Sequence, residues 1–157
     1  MYEQISTFFT IEMIYLWLSF GVLPFWFILI FFPQSKICGL FATSIFPFLI
    51  LGSVYIYLVY YFYNTGYEFS ENFVLYLGIY NLANLFENEA FLILIWTHFL
   101  AINLFCAAWI VRDSQKYMMS KYLNIIPIII TYFIGPIGII IYWIIRIFFS
   151  KKISLFD

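Results

Sequence analysis

Residues 87–113 read ENEAFLILIWTHFLAINLFCAAWIVRD. The run is apolar from Ala90 to Val111, with acids before it and Arg112–Asp113 closing it. It has the length and character of a helix that crosses a bilayer. Inside it sit Trp96, His98, Asn103 and Trp109. A lone His and an Asn in hydrocarbon are costly, so the run holds either a functional site or a packing seam.

The rest of the chain has the same character. Of 157 residues, 66% are hydrophobic and 10% charged, too few polar groups to cover a soluble domain. The fitting solvent is a bilayer, and the expected fold class is all-α, an integral membrane bundle. A net charge of −1 leaves no basic footprint, which argues against nucleic acid and for membrane lipid as the partner. The 21 Phe and 14 Tyr suit lipid-facing surface, interface belts and flat apolar grooves. Cys38 and Cys106 form no CxxC pair and no disulfide framework; they read as small packed residues. The first residues, MYEQISTFFTIE, carry acids and no Lys or Arg, so no cleavable signal peptide is expected.

A single membrane domain over 1–157 is expected, with four spans at about 11–32, 37–63, 90–111 and 123–149 and a short interfacial helix between the second and third. At about 1.5 Å per residue the first reaches about 33 Å, enough for a hydrocarbon core of about 30 Å. Pro24 is expected to bend it, and Pro33 closes it. Pro47 interrupts the second span, which ends in Tyr55, Tyr57, Tyr60, Tyr61 and Tyr63. Tyrosines there anchor rings at headgroup level, or form a surface for stacking a ligand. Phe73–Phe86 contains Gly78, Asn81 and Asn84 and is short for a span, so it reads as half-inserted or interfacial. Asn124 is the expected N-cap of the fourth helix, with Pro127 in its first turn. Four spans put Lys36, Arg112, Lys116 and Lys121 on one side, and Arg146, Lys151 and Lys152 on the other. The positive-inside rule then sets the first group in the cytoplasm, by a margin of one.

His98 is the only histidine. It can serve as acid or base, but no carboxylate or Cys lies three or four positions on to build a metal site. The plainer alternative is a hydrogen bond to a neighbouring helix. At about 100° per residue, Glu89, Trp96 and Asn103 share one stripe, while His98, Phe105 and Trp109 share another. In Gly135–Pro136–Ile137–Gly138, Pro136 cannot donate to the carbonyl of Tyr132. That freed carbonyl can accept a bond from a polar side chain of the third span. The glycines allow close approach by a backbone or a flat ligand, or simply mark a packed kink. Arg146 is expected to snorkel to the headgroups. Glu87 and Glu89 read as acids at a helix start or as a carboxylate pair. There is no phosphate loop, Ser–His–Asp set or HExxH motif.

In order, Trp96-x-His98, Asn103–Leu104–Phe105, Trp109, Asp113, Pro127, Gly135–Pro136-x-Gly138, Tyr142 and Arg146 resemble the pattern of the abscisic-acid-deficient-four-like family. That family includes a plant plastid membrane protein needed for neoxanthin formation and has bacterial members. Pro24–Phe25–Trp26, Pro33 and Phe46–Pro47 resemble its first two spans. Asn103 stands where the family pattern has a membrane Asp, and Ala107 where it has a Gly. Asp to Asn removes a titratable carboxylate while keeping the shape.

The resemblance implies a multi-pass protein that acts on, or binds, carotenoids or related long isoprenoids, by xanthophyll rearrangement or trans-to-cis isomerisation. It implies His98 and Asp113 as the catalytic acid and base. Trp96, Asn103, Trp109, Gly135, Pro136, Gly138, Tyr142 and Arg146 would bind substrate, with Asn103 reaching an end-ring hydroxyl. No cofactor and no metal are expected, and the expected location is a bacterial inner membrane. Two other classes stay open. Asn103 in place of an acid favours a non-enzymatic carotenoid or lipid binder. A small bundle with few polar sites also suits a structural subunit of a membrane complex.

Overall fold

The computed structural model describes residues 10–151, and every regular element among them is helical. In order these are α1 (Ile11–Gly21), α2 (Leu23–Phe31), a π-helical turn (Cys38–Ala42), α3 (Phe46–Asn64), a 3-10 helix (Phe69–Leu77), α4 (Ile79–Phe86), α5 (Glu89–Lys116), α6 (Lys121–Phe133) and α7 (Gly135–Ser150). Three stretches are long and apolar enough to cross a membrane: Ile11–Phe31, Cys38–Asn64 and Glu89–Lys116. Large apolar side chains such as Phe20, Ile45, Ile56 and Phe148 face outward, an arrangement that lipid accommodates and water penalises.

The helix breaks follow the prolines. The expected bend near Pro24 is present: α1 stops at Gly21 and α2 restarts at Leu23, with Pro24 in its first turn. The expected interruption at Pro47 is present too: the π-helical turn ends at Ala42 and α3 starts at Phe46, with Pro47 in its first turn. A proline costs nothing in a first turn, where its missing N–H has no intrahelical partner anyway.

The described chain divides into two compact units. One combines the chain up to Gly21 with Phe48–Leu100; the other combines Val22–Pro47 with the chain from Ala101 onward. α5 contributes its first turns to one and its later turns to the other.

The first unit buries Ile14 and Leu18 of α1, Leu51, Leu58 and Phe62 of α3, and Phe91, Ile93, Leu94 and Leu100 of α5. Asn88 caps α5: its Oδ1 accepts the N–H groups of Ala90 (2.9 Å) and Phe91 (3.3 Å). The region expected to hold one interfacial helix holds two short ones. Gly78, at φ 139, separates the 3-10 helix from α4, a backbone that a residue with a Cβ rarely adopts. Neither piece buries a residue.

The second unit corrects the expected fourth span. Residues 123–149 do not form one continuous helix. α6 ends at Phe133, Ile134 is extended at φ −141 and ψ 83, and α7 begins at Gly135. α7 then folds back on α6. A Cβ built on Gly138 would overlap Thr131 Oγ1 and stand 2.7 Å from the Pro127 carbonyl oxygen. In an unbroken helix the eleven positions from 127 to 138 would span about 16 Å. Two features of this sequence drive the reversal. Pro136 denies the helix one bond, and Gly138 gives α6 a surface with no side chain.

Asn124 is not the N-cap. The helix starts four residues earlier, after Ser120, and Asn124 is buried within it. Pro127 is likewise inside α6, where the Thr131 hydroxyl donates to its carbonyl at 2.7 Å.

Gly138→Ala should therefore destabilise the protein by about 1–3 kcal/mol, the usual cost of overpacking a tight contact. Gly52→Ala in α3, where a Cβ meets nothing within 4 Å, should be neutral or stabilising. Thermal unfolding of the two variants in one detergent checks the contrast.

Candidate functional site

Two places carry the polar and aromatic groups that the sequence singles out, one in each unit.

In the second unit, Asp113 lies in the last turn of α5 and Tyr117 follows it by four, just past the helix end, and Tyr142 and Arg146 lie four apart on α7. Residues at that spacing share a helix face, and here the two faces meet. The Asp113 carboxylate accepts the Nε–H of Arg146 at 2.7 Å and the Tyr142 hydroxyl at 2.6 Å, both on Oδ2. Arg146 also donates from Nη2 to the Tyr117 hydroxyl at 3.0 Å. Its guanidinium lies 4.8 Å from the Tyr117 ring centre and 5.4 Å from that of Trp143. Trp109 packs edge-on against Tyr142 at 5.6 Å.

The expectation that Arg146 snorkels is thus overturned. The side chain is 1% exposed, because a carboxylate, a phenol and two aromatic faces offer it a better site than the headgroups do. The arrangement is a neutral, satisfied clamp between two helices. Asp113 is committed to that clamp.

Higher in the same unit, Asn103 meets the break between α6 and α7. Its Nδ2 donates to the Tyr132 carbonyl at 3.4 Å, the acceptor that Pro136 leaves without its helical donor. The bond expected from the sequence is present. Gly135 makes the approach close: a Cβ there would overlap Asn103 Oδ1. Trp26 of α2 packs edge-on against Tyr132 at 5.1 Å. Asn103 is buried and faces this backbone.

The first unit holds an apolar groove of about 400 Å³. Ile11 and Tyr15 of α1 and Leu92, Ile93 and Trp96 of α5 wall it, with Glu12 and Glu89 on its lining. Trp96 is positioned by its indole N–H, which donates to Ser19 Oγ at 3.1 Å, and by the rings of Tyr15 and Phe99 at 5.4 and 5.5 Å. Glu89 and Trp96 do share a stripe, as their spacing implies.

His98 is exposed on α5. Fifteen positions of one continuous helix separate it from Asp113, about 22 Å at 1.5 Å per residue. The helix holds the two titratable groups apart. Among the described residues, no three of His, Cys, Asp and Glu cluster as a metal site would require.

Several contributors were not singled out from sequence. Tyr117 was legible in principle, since it follows Asp113 by four. Glu12, Ser19 and Thr131 carry no local signal; only the packing of distant helices gives them a role.

An all-helical membrane protein with broken helices, a buried charge clamp and a central Asn bound to a freed carbonyl is the class these features define. The chain matches the ABA DEFICIENT 4-like family model over residues 13–142, and it belongs to that family. The match takes in the groove residues from Tyr15 to Trp96, Asn103, Asp113 and Tyr142; it begins after Ile11 and Glu12 and stops short of Arg146. Protein ABA DEFICIENT 4, chloroplastic, of Arabidopsis thaliana is 30% identical over 99 residues, which cover 61% of this chain and 44% of that protein. The chain thus spans less than half the length of this relative. The relative is a chloroplast protein, which lends no support to a bacterial inner membrane. No solved structure matches the chain.

Removing one partner of the clamp should cost about 3–5 kcal/mol, because it strands a buried charge. Arg146→Met is expected to show that loss in unfolding measurements, and the double variant with Asp113→Leu to recover most of it. Asn103→Ala should cost about 1–3 kcal/mol by leaving the Tyr132 carbonyl without a donor.

Proposed function

We propose that this protein is a carotenoid-related membrane protein that takes the end ring of a xanthophyll, or of a related long isoprenoid, into the groove beside Trp96. The supporting observation is the groove itself. Its walls are apolar and aromatic, and its carboxylates are those of Glu12 and Glu89. A terpenoid end ring is a compact apolar body with an oxygen at one edge. Tyr15 and Trp96 offer it stacking faces, and a carboxylate accepts the hydrogen of a ring hydroxyl. The polyene then lies along the outward apolar side chains, in lipid. Family membership and the resemblance to a pattern tied to neoxanthin formation supply the substrate class.

A rearrangement or isomerisation needs no redox partner, only an acid to protonate an oxygen and a base to take a proton from carbon. Glu12 and Glu89 are the carboxylates on the groove. They fit those roles better than His98, which does not line the groove, or Asp113, which the clamp holds. In this reading Trp96 contacts the ligand, while Asn103, Trp109, Gly135, Pro136, Gly138, Tyr142 and Arg146 build the frame. The 3-10 helix and α4 bury nothing, and we place them at the bilayer surface, where their exposed apolar residues meet lipid. A second reading, binding without catalysis, is favoured by Asn103 standing where the family pattern has an acid.

Expression in cells that make several carotenoids, purification in mild detergent and analysis of the extracted pigment test the proposal. Wild-type protein should carry pigment. Trp96→Ala should retain about tenfold less, the effect of losing about 1.4 kcal/mol of contact, and His98→Ala should match wild type. A changed isomer or epoxide profile that disappears in the Glu12→Gln, Glu89→Gln double variant marks an enzyme; bound but unaltered pigment marks a binder. Wild-type protein without pigment, in cells with an unchanged carotenoid profile, overturns both readings.

A further inference from the structure

We propose that α6 and α7 form a re-entrant hairpin, which enters and leaves the bilayer through one face, so that the chain crosses the membrane three times and collects its cations on a single side. The hairpin rests on the second unit and the sidedness on the charges along the sequence; both are independent of any ligand.

Depth is the first argument. α6 has 13 residues and α7 has 16, so at about 1.5 Å per residue they reach about 20 and 24 Å, short of a hydrocarbon core of about 30 Å. The contacts to α5 locate the turn between them. Tyr132 and Gly135 meet Asn103, the middle of a helix that runs from Glu89 to Lys116. The hairpin therefore rises to about half the length of a helix long enough to cross, and turns there.

Direction is the second. Along α7 the partners run from Asn103 of α5 at Gly135 to Asp113 of α5, and Tyr117 just past its end, at Arg146. α7 is thus parallel to α5, and its last turn lies beside the last turns of α5. The same end receives the close of the first crossing, since the Gln115 side chain donates from Nε2 to the Pro33 carbonyl. Pro33, Gln115 and the end of α7 share one end of the unit.

Charge is the third. Lys36, Arg112, Lys116, Lys121 and Lys151 are all exposed and belong to this unit. Arg146, near the same end, is the remaining described cation. The connection after α3 carries Glu68, Glu71 and Glu87 with no Lys or Arg, and neither does the chain before Ile11. Four crossings would divide the cations almost evenly. Three crossings and a hairpin put every described Lys and Arg on one side and none on the other. That asymmetry is what the positive-inside rule selects, and it directs the cationic face to the side of insertion.

Non-helical backbone deep in a membrane is tolerated only where protein covers it and supplies its hydrogen bonds. Asn103 does this for the Tyr132 carbonyl at the turn. A mid-span Asn is thereby explained without a ligand.

Cysteine labelling in sealed vesicles of both orientations tests the topology. Met118→Cys, Lys151→Cys and Tyr76→Cys are treated with a membrane-impermeant maleimide, with wild type reporting any background from Cys38 and Cys106. The Met118 and Lys151 variants should react from one face and the Tyr76 variant from the other. A Lys151 variant that reacts from the face opposite Met118 overturns the proposal. Trypsin on the wild-type chain gives the same answer without substitution. Cleavage from one face only is expected; release of the segment beyond Lys151 from the face where Lys116 is protected would overturn the hairpin.

Discussion

A peptide carbonyl stripped of its helical donor cannot be left bare in hydrocarbon, and the second unit is arranged around that constraint. Pro136 frees the carbonyl of Tyr132, and Asn103 of α5 answers it. The bond works only because Gly135 lets the Asn103 side chain come up against the backbone. Gly138 then lets α7 lie on Thr131 and Pro127 of α6. Three small or polar residues on two elements thus convert a broken helix into a compact turn. Each is cheap alone, and each fails without the others, since a turn without its donor leaves an unpaired polar group in an apolar medium.

The clamp at the other end of α5 obeys the same rule for charge. Asp113 and Arg146 neutralise each other, and Tyr117 and Tyr142 take up further hydrogen-bonding capacity. Charges held in this way cost little to bury and fix the register of α7 along α5. They also have little freedom to act on a substrate. The groove beside Trp96 has the opposite design, with apolar walls and two acids that no ion pair among the described residues engages.

Much of the fold was legible in the sequence. Three apolar runs of sufficient length announce themselves, and Pro24 marks a break. The freed Tyr132 carbonyl follows from the position of Pro136 alone. The reversal at Ile134 does not, because a proline reports a missing bond and says nothing of the angle the chain then takes. That angle depends on Gly138 meeting Thr131, seven positions away on another helix. Asn124 looked like a cap since Asn often is one, yet Ser120 starts the helix earlier, and packing buries Asn124 in the helix interior. For the site, Trp96 was found and its acidic neighbours were mixed: Glu89 shares its stripe, while Glu12 comes from a different helix and had no local signal. His98 drew attention as the sole histidine, a matter of composition that carries no information about what lies beside it.

The shortness of α6 and α7 also bears on how the protein is made. A helix of ordinary spanning length can partition into lipid by itself and wait for partners. α6, with buried Asn124 and Thr131, and α7, with buried Arg146, are poor candidates for that independence. Arg146 finds its counter-charge on α5, while the buried Asn124 Oδ1 has no hydrogen-bond partner among the described residues. α5 must therefore be in place before α6 and α7 can settle, and the chain order provides for this, since α5 leaves the ribosome before them. Assembly should thus be sequential, with α6 and α7 folding onto an already inserted template.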